Sequence, residues 1–294
     1  MTAAFRCAED AESRGELLMG TASRADRFVL VEFPTPWPHK ALDAFSEDLR
    51  AELAAVCEAT SAKLLLIRRP GARTPAERRW AVYDAQQRRS YWGVWSAEAD
   101  LGALVEAAAS APSDRWAADP VVLVCTHARH DACCGLRGRP VAAALAQAHS
   151  DLVWECTHVG GHRFAANLVL PLDGTYYGRV EADTAVDVVD THLEKSEISA
   201  EHVRGFSWMA PAAQAVAVEA HRRWGPAGAD DIEAVSVEAL GADRWRVELT
   251  GGEVLPSSIT AEVERVAGPE ARLSCLADPT PTETLAIRTL DAST

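Results

Sequence analysis

Two short apolar runs, Val121-Val122-Leu123-Val124 and Leu152-Val153-Trp154, each lead into a stretch of cysteine and histidine. The first continues as Cys125-Thr126-His127-Ala128-Arg129-His130-Asp131-Ala132-Cys133-Cys134-Gly135. The second, after Glu155, continues as Cys156-Thr157-His158-Val159-Gly160-Gly161-His162-Arg163-Phe164. Short apolar runs of this kind predict buried strands. Two strands then deliver sulfur and imidazole to the same end of one sheet. Four of the seven cysteines and four of the nine histidines fall in these windows. Thiolate and imidazole together suit zinc, or an iron–sulfur cluster with mixed ligands.

The rest of the chain sets the surroundings. Its 294 residues suffice for two or three domains. No apolar run approaches the ~20 residues that span a bilayer. Met1 to Asp10 mixes acid and base and has no apolar stretch of the secretory kind, so the expected location is the cytoplasm. Clustered cysteines there point to metal binding or redox chemistry more than to disulfides. A net charge of −14 argues against nucleic acid and anionic membrane as partners and suits docking on a basic protein.

The pattern predicts an α/β fold. Phe28–Phe33 reads as a strand ending at Pro34, and residues 40–59 as a helix carrying Leu42, Phe45, Leu49 and Leu53. Leu64–Ile67 is a second strand followed by Arg68-Arg69-Pro70-Gly71. Trp80–Tyr83 and Tyr91–Trp95 make a hairpin, and residues 98–109 a helix. The order then recurs: strand 121–124, helix 141–148, strand 152–155, paired strands 164–170 and 175–180 across Pro171-Leu172-Asp173-Gly174, and helix 183–194. Both halves read β-α-β-β-β-α, which implies a duplication with Cys/His loops in the second copy alone. From 197 onward a small α/β extension is expected. It has a helix over 212–224, paired strands at 232–240 and 245–249, a helix near 258–267, and short strands at 271–276 and 284–289. The domain limits are then 1–116, 117–196 and 197–294.

Within the loops, His158 and His162 meet one metal if the chain between them turns tightly, and Gly160-Gly161 supplies that turn. Cys125 stands at a strand end. A loop that folds back brings one of Cys133 and Cys134 beside it, while the other points elsewhere. Cys7, Cys57 and Cys275 read as small buried hydrophobes, and Cys156 as core at the end of a strand. His127, His130 and His149 read as surface polar groups. A second ligand set remains open, because Cys125-x-His127 and Cys156-x-His158 each resemble half of a Rieske loop. A thiol-redox enzyme would want a C-x-x-C loop, which is absent.

The segment from Val121 to about Val180 resembles the sucrase/ferredoxin-like family, a branch of the thioredoxin-like ferredoxins. The resemblance rests on C-T-H-x4-D-x-C-C-G and on C-T-H-x-G-G-H-R-F-A-x-N. Weaker features extend it: Leu30-Val31-Glu32-Phe33-Pro34 with Trp37, Leu66-Ile67-Arg68-Arg69-Pro70-Gly71, and Trp245-Arg246-Val247. It implies a thioredoxin-like ferredoxin domain, which by the repeated element order follows a degenerate second copy. It also implies a 2Fe–2S cluster held by Cys125 and Cys134 on one iron and, in the bis-histidinyl variety, by His158 and His162 on the other. An electron carrier follows, working with a reductase and an acceptor as monomer or homodimer, more than an enzyme with its own substrate. A Cys2His2 zinc protein is the alternative. No pair of acids is placed as a glycosidase needs. Neutral imidazoles leave the iron less negative than thiolates do, so the potential should lie above that of plant-type ferredoxins, by analogy with Rieske centres at roughly −150 to +300 mV against about −400 mV. Arg163 is expected either to stabilise the reduced cluster or to pair with a surface acid.

Overall fold

The computed structural model describes residues 4–34, 36–71, 77–110 and 116–293. Residues 1–3, part of the Met1 to Asp10 stretch read above, lie outside them. After a short helix α1 (Cys7–Ser13), the chain forms β1 (Arg27–Glu32), α2 (Glu47–Ala59), β2 (Ala62–Arg68), β3 (Arg78–Asp84), β4 (Arg89–Trp95) and α3 (Gly102–Ser110). It then forms β5 (Val122–Cys125), α4 (Ala132–Ala148), β6 (Val153–Cys156), β7 (Leu168–Leu170), β8 (Thr175–Tyr177) and α5 (Ala185–Leu193). Both stretches run β-α-β-β-β-α, in the order the hydrophobic pattern predicts.

All these strands join one sheet, ordered β4-β3-β1-β2-β6-β5-β7-β8, with β9 (Val203–Phe206) added at the β8 edge. β1 pairs parallel with β2 and antiparallel with β3, and β3 pairs antiparallel with β4. β5, β6, β7 and β8 repeat those relations in mirrored order. The halves meet where β2 and β6 run antiparallel through Ile67↔Cys156 and Arg68↔Glu155. Side chains alternate across the sheet. Val29 and Val31 pack with Leu49, Leu53 and Leu104 of α2 and α3. Phe28 and Leu30 face the opposite core, shared with Leu123, Cys125, Trp154, Cys156 and Tyr176 of the second half.

Two expectations are corrected. The helix expected over 141–148 begins nine residues earlier, so Cys133 and Cys134 lie in the first turn of α4 and not in a loop. Gly135, Gly138 and Pro140 read as helix breakers in sequence. In the fold the two glycines let the helix approach the preceding strand: a Cβ on Gly138 would strike the Cys125 carbonyl, and one on Gly135 would strike Ala128. The helix expected near 258–267 is a strand, β12 (Ser258–Ala271). Its Ala/Glu content suits a helix, but Ile259, Ala261 and Val263 recur with period two and are buried. With β10 (Ile232–Ala239), β11 (Arg244–Gly251) and β13 (Thr280–Ser293) it forms a four-stranded antiparallel sheet; the strands expected at 271–276 and 284–289 become the β12–β13 loop and part of β13. α6 (Pro211–Trp224) lies between this sheet and the large one, and Val216, Val247, Val203 and Val122 share one core. No described helix is long and apolar enough to cross a membrane.

Candidate metal centre

Cys125 and Cys156 end β5 and β6 as register partners, and hydrogen bonds fix the chain beyond them. Thr157 clamps the second loop to β2. Its N–H donates to the Leu66 carbonyl at 2.9 Å, and the Leu66 N–H donates to Thr157 Oγ1 at 3.0 Å. Gly160 (φ 100°) and Gly161 (φ 70°) then turn the chain in the left-handed region that glycine tolerates. A Cβ on Gly161 would collide with the Arg204 guanidinium. That guanidinium is buried and donates to the Gly160 carbonyl at 3.1 Å and to Asn167 Oδ1 at 2.7 Å. Asn167 Nδ2 in turn donates to the Gly161 carbonyl at 3.0 Å. The tight turn between His158 and His162 is therefore held from beneath.

Opposite, Asp131 caps α4, accepting the Cys133 N–H at 2.8 Å. The adjacent cysteines diverge. Cys134 turns toward Cys125 and His158, whose ligand atoms lie within 4.8 Å of its own, with Cys134 Sγ 3.7 Å from His158 Nδ1. Cys133 turns away, toward Cys7 and Cys275. His130, His158 and His162 form an overlapping group, also within 4.8 Å. The His130 ring stacks on His158 with centroids 3.8 Å apart, and the His158 and His162 centroids lie 5.0 Å apart.

The electrostatics favour the ligand forms of Cys125 and of the imidazoles, while the hydrogen bond to Cys125, then burial, push the Cys134 thiol up. The Cys125 thiol is pulled down, first by the hydrogen bond from Cys134, against burial, with help from the N–H groups of His127 and Val159. Burial, then charge on His130 and His162, drives His158 down to about 2. Burial likewise lowers His162 and His130. At neutral pH these imidazoles are neutral with lone pairs available, as metal binding requires. His162 Nδ1 and His130 Nδ1 are buried without a hydrogen-bond partner. Such orphaned atoms are costly, and a metal between them and the thiols would satisfy them. The donor set thus fits a metal. Its thiol side is closed, since Cys125 and Cys134 are buried, while His130, His158 and His162 are half-buried and reach solvent.

Other expectations meet the geometry as follows. Cys134, and not Cys133, is the partner of Cys125. His127 and His130 are not surface groups. His127 is buried, accepts the His158 N–H at Nδ1, and meets the edge of Trp37, while His130 joins the imidazole stack. Burial brings His127 down to about 4. His149 pairs with Asp190 at 2.6 Å. Cys156 is fully buried, its thiol pushed up by burial. Neither Cys156 nor His127 belongs to a ligand group among the described residues, so the C-x-H set does not assemble. Arg163 pairs with an acid, but with a buried one and not a surface one, donating to Glu16 at 2.6 Å. Cys7 and Cys275 are more than small hydrophobes, for they converge on Cys133 and Asp131. Sequence reasoning missed Arg204, which sits on a distant strand with no local motif to signal it.

Fold and side chains together define a mixed α/β protein of ferredoxin-like type whose clustered thiols and imidazoles are suited to holding a metal. The chain belongs to the sucrase/ferredoxin-like family, whose sequence profile matches residues 18–205. Over 98 residues it is 34% identical to altered inheritance of mitochondria protein 32 of Meyerozyma guilliermondii, a stretch that covers 30% of this chain and 35% of that protein. No solved structure matches the chain.

Proposed function

We propose that this protein is an electron carrier holding one 2Fe–2S cluster through Cys125, Cys134, His158 and His162. The observation that supports this most is that Cys125, Cys134 and His158 gather their ligand atoms, that His158 also groups with His162 and His130, and that His162 Nδ1 is buried and unpartnered. When bound, such a cluster supplies one-electron redox chemistry. The chain's own groups define the rest. Cys125 is disposed to be a thiolate, and the guanidinium of Arg204 keeps positive charge beneath the loop. The half-buried imidazoles form the side open to exchange with a partner. The acidic surface suits a basic redox protein as donor or acceptor. We further propose that the two halves of the sheet descend from a duplication, that the first half is a degenerate thioredoxin-like copy standing in for a second subunit, and that the protein acts in the cytoplasm.

One observation favours a second reading, a Cys2His2 zinc protein. Ligands at 2.3 Å (sulfur) and 2.0 Å (nitrogen) of one tetrahedral ion lie about 3.6 Å apart, close to the 3.7 Å between Cys134 Sγ and His158 Nδ1. The test is a visible absorption spectrum of protein from iron-replete cells, with iron and acid-labile sulfide assays. About two irons and two sulfides per chain are expected. Replacing His158 or His162 by Cys should retain a cluster at lower potential, because a thiolate adds negative charge. A colourless protein without sulfide, with zinc bound in the Cys125 set, would overturn the reading.

A further inference from the structure

A second group of ligand atoms lies back to back with the first. Cys133 and Cys134 are neighbours on the first turn of α4, and Cys133 faces a pocket of its own. Cys7 reaches it from α1, Asp131 from the helix cap, and Cys275 from the loop between β12 and β13. The three sulfurs form a triangle: Cys7 to Cys133 3.7 Å, Cys133 to Cys275 3.4 Å, Cys275 to Cys7 3.6 Å. Asp131 Oδ1 lies 3.6 Å from Cys7 Sγ and 3.2 Å from Cys275 Sγ. All four residues are buried, Cys275 the most exposed at 8%.

These separations are those of a tetrahedron around one ion. With zinc–sulfur bonds of about 2.3 Å, two sulfurs of a tetrahedral site lie about 3.8 Å apart, and sulfur and carboxylate oxygen about 3.5 Å. A disulfide needs sulfurs about 2.05 Å apart, and all seven cysteines are free thiols. Three sulfurs also cannot pair among themselves. Asp131 is a buried carboxylate that makes no ion pair among the described residues. Its oxygens accept N–H groups from Cys133 and Cys275, which orient it toward the sulfurs. Buried charge of this kind is normally paired or bound to metal.

We propose that Cys7, Asp131, Cys133 and Cys275 bind one zinc ion in a closed, structural site, separate from the Cys125 set. Soft thiolates select zinc over harder cations, and four protein ligands leave no open position for catalysis. The thiols lose their protons on binding, and the ion changes no oxidation state. The site ties together three parts of the chain that share no strand pairing: the N-terminal helix, the start of α4, and the β12–β13 loop. By holding Cys133 it fixes the turn of α4 that aims Cys134 at Cys125.

The test is metal analysis of the full chain purified without chelator from cells supplied with zinc and iron. Zinc at about one per chain is expected, whatever the iron content. Cys275→Ser and, independently, Cys7→Ser should lose zinc. Cys134→Ser should keep it, and that contrast separates this proposal from the reading of the Cys125 set. Cobalt substituted into the wild-type protein should show the visible bands of tetrahedral thiolate coordination. In the wild type, Cys7, Cys133 and Cys275 should resist alkylation until a chelator is added, a readout that does not depend on variants folding. A wild-type chain without zinc, iron in place of zinc at this site, zinc that survives both Cys7→Ser and Cys275→Ser, or a Cys7–Cys275 disulfide in freshly isolated protein would each overturn the proposal.

Discussion

The two halves of the large sheet share one connectivity and put it to different uses. After β1 the chain runs through Phe33-Pro34 to Trp37 and then into α2, whose first turn carries the exposed acids Glu47 and Asp48. After β5 it runs through Cys125-Thr126-His127 into α4, whose first turn carries Cys133 and Cys134 under the Asp131 cap. A helix start offers free N–H groups and the positive end of the helix dipole. In the first half that end meets carboxylates in water, which stabilises a helix. In the second half it meets buried thiols: the hydrogen bond from Cys7 brings Cys133 down to about 6, while the bond to Cys125 and burial push Cys134 up. One position in the scaffold is therefore a surface helix start in one half and a ligand-bearing turn in the other. The halves also cooperate: Trp37 covers His127, and Arg68 stacks on Trp37 at 4.2 Å.

The sharpest way to break this comparison is to change one residue in each helix start. Cys134→Ser should remove all bound iron and the visible spectrum, whereas Glu47→Gln should cost under about 1 kcal/mol and leave iron unchanged. Iron retained in full by Cys134→Ser would end the distinction. The next effect lies at β9, which has no counterpart beside β4. Arg204→Met strands the Gly160 carbonyl, Asn167 Oδ1 and the Thr21 hydroxyl. At about 1–3 kcal/mol per buried unpaired acceptor, a loss of about 3 kcal/mol or more is expected in urea unfolding. A loss below about 1 kcal/mol would show that the loop holds itself.

Acid should separate the halves next. His221 on α6 is buried with both ring nitrogens unpartnered, and burial lowers it to about 4. Its folded pKa lies below the unfolded value near 6.5. The neutral form is thus the native one, and its stability contribution is complete above about pH 6.5 and disappears as pH falls toward 4. That amounts to about 3 kcal/mol. The histidine described in the first half, His39, is exposed. Hydrogen exchange at pH 5 should therefore open α6 and its neighbours before β1–β4, and His221→Leu should flatten the pH dependence. Equal opening of α6 and of β1–β4 would contradict this.

Smaller effects belong to the first half. A Cβ on Gly93 would collide with the Trp80 ring, its cross-strand partner. Gly93→Ala should cost about 1–3 kcal/mol by overpacking and leave iron content unchanged. Cys57, whose thiol burial pushes up to about 11, is half-buried on α2; Cys57→Ser should shift stability by at most about 1 kcal/mol and leave iron unchanged.

Strand positions in both halves were legible because apolar runs and period-two alternation report burial directly. The Gly160-Gly161 turn was legible because few other residues adopt its backbone. Local rules misled where tertiary contact overrides propensity. Gly135, Gly138 and Pro140 look like breakers, yet the glycines let α4 pack on β5. Ser258–Ala271 looks helical by content, yet pairing with two neighbouring strands makes it β. The gathering of Cys7 and Cys275 around Cys133 was invisible, since each is a single cysteine far from the others in sequence. His130 looked like a surface group because nothing local reveals its stacking on His158.

Arg204 imposes an order on how this protein is made. Both ligand loops leave the ribosome before β9 does, and synthesis at about 5–20 residues per second leaves them waiting for seconds. Through that interval the Gly160 carbonyl lacks the guanidinium that later holds it, although β5, α4 and β6, which carry Cys125 and lead to His158, are already made. The turn between His158 and His162 therefore gains its support from beneath only with the ninth strand. Truncations that end before Arg204 should accordingly leave the Gly160-Gly161 turn open to hydrogen exchange, while those that include it should protect it.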